Sequence, residues 1–106
     1  MCTLTARIFI AVLLFQEKVD DALRCLDYVR DLAEETYNYQ ILMETYLTIG
    51  KILQEEKNYA RAVVAFKMLL LVAWQENSSD FEMLAYENLA MQFFHLNDNT
   101  RATYYH

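Results

Sequence analysis

Proline is absent from this chain of 106 residues, and glycine occurs once, at Gly50. Sheet-rich domains need turn residues between their strands, so the shortage argues for helices joined by short polar turns. Cysteine is scarce as well. Cys2 stands at the start and Cys25 inside a helical pattern, and such a pair builds no disulfide framework. Cys25 reads as a small apolar residue of a reduced protein. Basic residues number nine against fifteen acidic ones, for a formal charge of −6, and they never gather into a run. Phosphate backbones and anionic lipid both reward basic clusters, which excludes nucleic acid as the expected partner. The apolar stretch Ile8–Phe15 is far shorter than the about 20 residues of a membrane span, and no small-residue cleavage site follows it. It reads as a buried helix, and the expected setting is cytoplasmic. The length suits one compact unit with a modest core.

What the chain does have is a repeat. Shifted by forty residues it lies over itself without a gap: Tyr46 falls on Tyr86, Ile49 on Leu89, Gly50 on Ala90, Leu53 on Phe93 and Ala62 on Ala102. In the other direction Phe9, Ile10, Leu13, Ala22, Leu26 and Ala33 fall under Ile49, Gly50, Leu53, Ala62, Phe66 and Ala73. A fixed period of roughly 20–50 residues marks a stacked-repeat architecture, which works by presenting a surface.

Helical periodicity predicts helices over Thr3–Phe15, Val19–Thr36, Tyr39–Gln54, Tyr59–Glu76, Asp80–His95 and Thr100–His106. In the fourth, Ala62, Val63, Phe66, Leu69, Leu70 and Ala73 recur at three- and four-residue steps, while Arg61 and Lys67 mark the polar side. Ser79 with Glu82 forms a capping-box pattern. Asn58, and Asp98 or Asn99, stand where caps are needed before the fourth and sixth helices. The connections Gln16–Lys18, Glu55–Asn58 and Leu96–Asn99 are short, so neighbouring helices run antiparallel. The first helix is apolar nearly all round, which predicts burial on every side. The last is cut short, so both ends of the stack read as interfaces and the isolated chain is expected to self-associate.

These residues resemble the tetratricopeptide repeat family, whose A helix carries an aromatic, then Leu-Gly, then an aromatic, and whose B helix carries Ala, an aromatic and Ala. The second repeat matches with Tyr46, Ile49-Gly50, Leu53, Ala62 and Phe66, and the third with Tyr86, Leu89-Ala90, Phe93 and Ala102. The first is degenerate: Ala6, Phe9-Ile10, Leu13, Ala22 and Leu26. The period of forty exceeds the family's usual length of about 34 and places the chain with the long-repeat variety. The resemblance implies an all-α, right-handed helical-repeat solenoid of antiparallel helix pairs. Its repeats would span about 3–38, 39–78 and 79–106, as a single domain over 1–106. Tyr46, Gly50, Ala62, Phe66, Tyr86, Ala90 and Ala102 would be the repeat-packing positions. It also implies an inner face built from the A helices. The Lys, Arg and Asn set with which some members grip a chaperone C-terminus is incomplete here, since the matching positions read Arg7, Ala11, Thr48, Leu84 and Asn88. Trp74 replaces the usual closing Pro, either as a plug between repeats or as an exposed hot spot.

Chemistry finds little footing. His95 and His106 are the only imidazoles, and neither has a Cys, Asp or Glu set at metal-ligand spacing. There is no Gly-rich phosphate loop, no nucleophile elbow and no Cys/His pair with an orienting third group. The expectation is a chain that is not an enzyme and takes no cofactor, metal or small-molecule substrate. The candidate partner-binding groove comprises Arg7, Thr48, Lys51, Gln54, Asn88, Met91, Phe94 and His95, with Ala11, Phe15 and Glu55 beside them. Arg7 and Lys51 read there as isolated cations. The leading expectation is a non-enzymatic protein–protein interaction module, a scaffold or adaptor segment of a multi-subunit assembly in a cytoskeletal or ciliary setting. The alternative is a peptide-sensing regulatory module of a larger regulator or enzyme.

Overall fold

The computed structural model describes residues 3–15 and 18–96, with side chains for 7–14 and 18–96. Among them run α1 (Thr3–Phe15), α2 (Val19–Glu35), α3 (Tyr39–Glu55), α4 (Tyr59–Gln75) and α5 (Ser79–His95), with no strand. The expected helix Thr100–His106, its cap at Asp98 or Asn99, and Cys2, Ala102 and His106 lie outside the described residues.

Helices α2 to α5 have 17 residues each and begin at residues 19, 39, 59 and 79. The elementary unit is therefore one helix and one three-residue turn, and two such units make the forty-residue period. The turns share one chemistry. Tyr37, Lys57 and Asn77 take a left-handed backbone, with φ of 56°, 60° and 54°. The next N–H reaches back five residues: Asn38 to the Ala33 carbonyl at 2.9 Å, Asn58 to Leu53 at 2.8 Å and Ser78 to Ala73 at 2.9 Å. This Schellman closure satisfies carbonyls that a helix end leaves bare. The same three residues then cap the following helix, since the side chains of Asn38, Asn58 and Ser78 accept the N–H groups of Ile41, Arg61 and Phe81. Lys18 N–H to the Leu13 carbonyl, at 2.8 Å, carries the register back to α1.

This corrects the expected cap of the fifth helix. Ser78 caps it and Ser79 is its first residue, because the closure fixes each turn at three residues and sets position 78 in register with 38 and 58. The same constraint shifts other predicted ends by one residue, to Glu35, Glu55 and Gln75. It also makes the turn after α3 Glu56–Asn58.

Sequential helices pack antiparallel into a slab of 42 × 33 × 17 Å, its thinnest dimension two helix layers deep. The core sits along the seams among α2, α3, α4 and α5. Phe66, Leu69 and Leu89 are fully buried there, each contributing roughly 1.5–3 kcal/mol of transfer free energy. Gly50 is essential to the α3–α4 seam: a Cβ at that position would lie 2.5 Å from the Phe66 ring. Ala22 and Ala62, equivalent by the forty-residue shift, are both completely buried, as the repeat requires.

Helix α1 departs from expectation. It buries Ile10 and Leu13 but leaves Ile8, Phe9, Ala11 and Val12 open, so it is covered on one side only. Phe9 is 55 % exposed where its equivalents Ile49 and Leu89 are 8 % and 0 %. The reason is positional. That face of α3 and of α5 meets the helix preceding it, α2 and α4, and no described helix precedes α1.

Candidate functional site

The A helices α1, α3 and α5 form one side of the slab, and the candidate groove residues are distributed over it in three clusters. Between α1 and α3, Arg7 pairs with Glu44, an acidic residue of α3 that the sequence reading passed over. Arg7 is thus not an isolated cation. Gln40 adds a bond to the same carboxylate at 3.2 Å. Beneath this pair a slot of about 240 Å³ opens, floored by Leu26 and Val29 of α2 and walled by Ile10 and Ile41. Leu26 takes the position of Phe66 one repeat later, and Ile10 that of Gly50.

Thr48 lies between this slot and a wider cleft of about 910 Å³, which Lys51, Glu55, Asp20 and Arg61 edge from α3, α2 and α4. The Thr48 hydroxyl donates back to the Glu44 carbonyl at 2.8 Å. Lys51 is exposed.

The α3–α5 side is closed by amides. Gln92, fully buried, donates to Gln54 Oε1 at 2.9 Å and to the Asn88 carbonyl at 3.1 Å, and Gln54 Nε2 lies 3.0 Å from the Met91 sulfur. Asn88, expected in the open groove, is buried instead and donates to the Leu84 carbonyl at 2.7 Å. Asn88 Oδ1 and Gln92 Oε1 meet no donor among the described residues. Gln92 escaped the sequence reading because its equivalents, Val12 and Ile52, are apolar and predict only packing.

Met91 and Phe94 remain on the open surface. His95 is exposed beside them, its ring edge-on to that of Phe94 with centroids 5.9 Å apart, and it stacks on Tyr59 of α4, with centroids 4.5 Å apart and planes within 7°. Trp74 is half exposed and so is not a buried plug between repeats; its indole N–H donates to Glu82 at 3.1 Å, tying α4 to α5.

On the α2–α3 seam the buried Tyr46 hydroxyl donates to Glu34 at 3.3 Å. Burial, and then the neighbouring Glu34 charge, push the Tyr46 phenol above its ordinary range. Burial opposes the charge on Arg30, but Asp27 and Asp31 outweigh it and raise its pKa. Among the described residues no three His, Cys, Asp or Glu side chains gather where a metal could be held, and no helix is long and apolar enough to cross a membrane.

The structure is similar to the crystal structure of the TPR domain of Arabidopsis FLU, with a TM-score of 0.84 at 18 % identity, over 96 % of this chain and 86 % of that one. The chain has an all-α helical-repeat fold of TPR-like form. No protein-family model matches the sequence, and no curated protein matches it.

Proposed function

We propose that the chain is a non-enzymatic protein–protein interaction module, a scaffold or adaptor segment of a multi-subunit assembly, and that partners dock on the face built by α1, α3 and α5. One observation carries this: the apolar slot between α1 and α3, floored by Leu26 and rimmed by the Arg7–Glu44 pair. A concave apolar pocket with a small number of fixed polar groups at its mouth suits the anchor side chain of a partner segment. The same reading takes the chain as one domain of three repeats of the long variety. The cytoskeletal or ciliary setting rests on repeat length alone, by analogy.

Amine cross-linking of the chain in its natural complex tests the choice of face. Lys51 borders the A-helix side, whereas Lys67 lies on the exposed side of α4. Links from Lys51 to other proteins are expected, and Ala11→Phe, which places a ring at the slot from an exposed position of α1, should weaken retention of those proteins. Links to other proteins from Lys67 alone, or full retention by a folded Ala11→Phe chain, would contradict the proposal.

A further inference from the structure

Helix α4 carries an apolar ridge that the fold does not require. Val64, Met68, Leu71 and Trp74 are 61 %, 38 %, 54 % and 49 % exposed, along the side of α4 opposite its buried face of Ala62, Phe66, Leu69 and Ala73. The repeat supplies an internal control. The equivalent positions on α2, its counterpart in the first repeat, are Arg24, Tyr28, Asp31 and Glu34, all exposed and three of them charged. The same architecture therefore tolerates a solvated face here, and α4 presents hydrocarbon instead. The spacing Arg61, Val64, Met68, Leu71, Gln75 alternates steps of three and four, the seam of a helix that meets another helix lengthwise.

We propose that this ridge is the contact between two copies of the chain, with α4 lying antiparallel to its twin across a two-fold axis. The inference does not depend on the partner-docking face described above. Charge distribution selects the twin and its direction. Arg61 stands at the N-terminal end of the ridge and Lys67 beside its middle, with Trp74 and Glu76 at its C-terminal end. Setting Met68 of each copy against Leu71 of the other brings Lys67 to the other copy's Trp74 face and Arg61 toward its Glu76. A cation over an indole and an opposite-charge pair thus each form twice by symmetry. The Trp74 ring is already held by Glu82, so little ordering remains to be done on contact. The open α1 face is a poorer candidate for a twin. Its equivalents on α3 and α5 are covered by α2 and α4, and in a second copy both of those helices already serve that purpose.

A single helix of 17 residues, about 25 Å long, buries less than the about 1,200 Å² at which stable complexes begin, so the dimer is weak and concentration-dependent. Sedimentation equilibrium of the full chain, from about 1 µM to about 1 mM, should show monomer passing to dimer in that range. Val64→Arg with Leu71→Asp, which gives α4 the residues of α2, should hold the chain monomeric throughout while helicity and thermal midpoint stay unchanged. Ile8→Lys with Phe9→Lys should leave the dimer intact. Arg61→Glu should weaken it several-fold, and adding Glu76→Arg should restore it. Four results overturn the proposal: a wild-type chain that stays monomeric, assembly beyond dimers, a dimer lost with the α1 substitutions but kept with those in α4, or no rescue by the charge exchange. None of these bears on the Lys51 cross-links, so the two readings fail separately.

Discussion

Gly50 and Phe66 share a volume that the first repeat divides differently. There the equivalent pair is Ile10 and Leu26, both buried, so a medium residue faces a medium one where later the smallest faces a large one. A methyl group added at position 50 would lie 2.5 Å from a ring that is itself fully buried and has no room to retreat. Gly50→Ala should therefore destabilise by about 1–3 kcal/mol even though Ala is the better helix former. Phe66→Leu alone leaves a cavity, and the double variant should recover part of both losses. Chemical denaturation over the cycle measures that coupling, and strict additivity would mean the two residues do not meet. Tyr46 gives a second test. Its phenol is raised above the ordinary value of 10.0 by burial and by Glu34, so the unfolded chain gives up this proton first as pH climbs. Its contribution is complete below about pH 10 and is lost as pH rises through the higher folded value. Tyr46→Phe should cost about 0.5–1.5 kcal/mol at neutral pH and flatten the alkaline fall of the stability curve, read from denaturation midpoints across pH. The Gly50 contact was legible in the sequence because close approach between helices leaves few choices of residue. The Glu44 pairing with Arg7 was not, because a lone exposed acid carries no pattern that names its partner.

At the level of elements, the turns explain the regularity of the fold. Three consecutive connections have the same length, the same backward hydrogen bonds and the same left-handed residue, and none of those residues is Gly. A side chain at that conformation is strained, whereas glycine adopts it freely at the cost of a more disordered unfolded chain. Lys57→Gly should thus stabilise by about 0.5–1 kcal/mol, and Asn77→Gly by less, since Asn tolerates the left-handed region better. Thermal midpoints of the two variants check the order. Helix α5 supplies the opposite case, a buried amide between elements. Gln92 sits where Val12 and Ile52 stand in the earlier repeats, and its one side-chain acceptor, Oε1, meets no donor among the described residues. Gln92→Met keeps the volume and removes the buried acceptor, so it should leave stability unchanged or raise it, while Gln54, partly exposed, regains water. A loss above about 2 kcal/mol on denaturation would mean that the amide contacts hold the α3–α5 joint together. The five described helices and their order could be read from periodicity because a forty-residue shift superposes whole apolar faces. The ends could not be placed to the residue, because Ser78 and Ser79 are both capable caps and only the backward bond from Ser78 to Ala73 chooses between them.

For the molecule as a whole, the asymmetry of cover matters most. The forty-residue shift assigns Phe9 and Ile49 the same role, yet one is open and the other buried, because burial depends on the neighbouring helix and a sequence match within one helix does not report it. The same limit hid the ridge on α4, whose apolar residues look like core until the packing of both faces is known. Stability should grade along the stack accordingly, from α1, covered on one side, to α3 and α4, which share the most extensive seam. Native-state hydrogen exchange of the dilute chain reads that gradient helix by helix and tests the central claim, a helical-repeat stack closed around α3 and α4 and open at α1. The account predicts the slowest exchange at the seam residues Leu53, Phe66 and Leu69, intermediate rates in α2 and α5, and the fastest helical amides in α1. Equal protection across all five helices, or slowest exchange in α1, would contradict it.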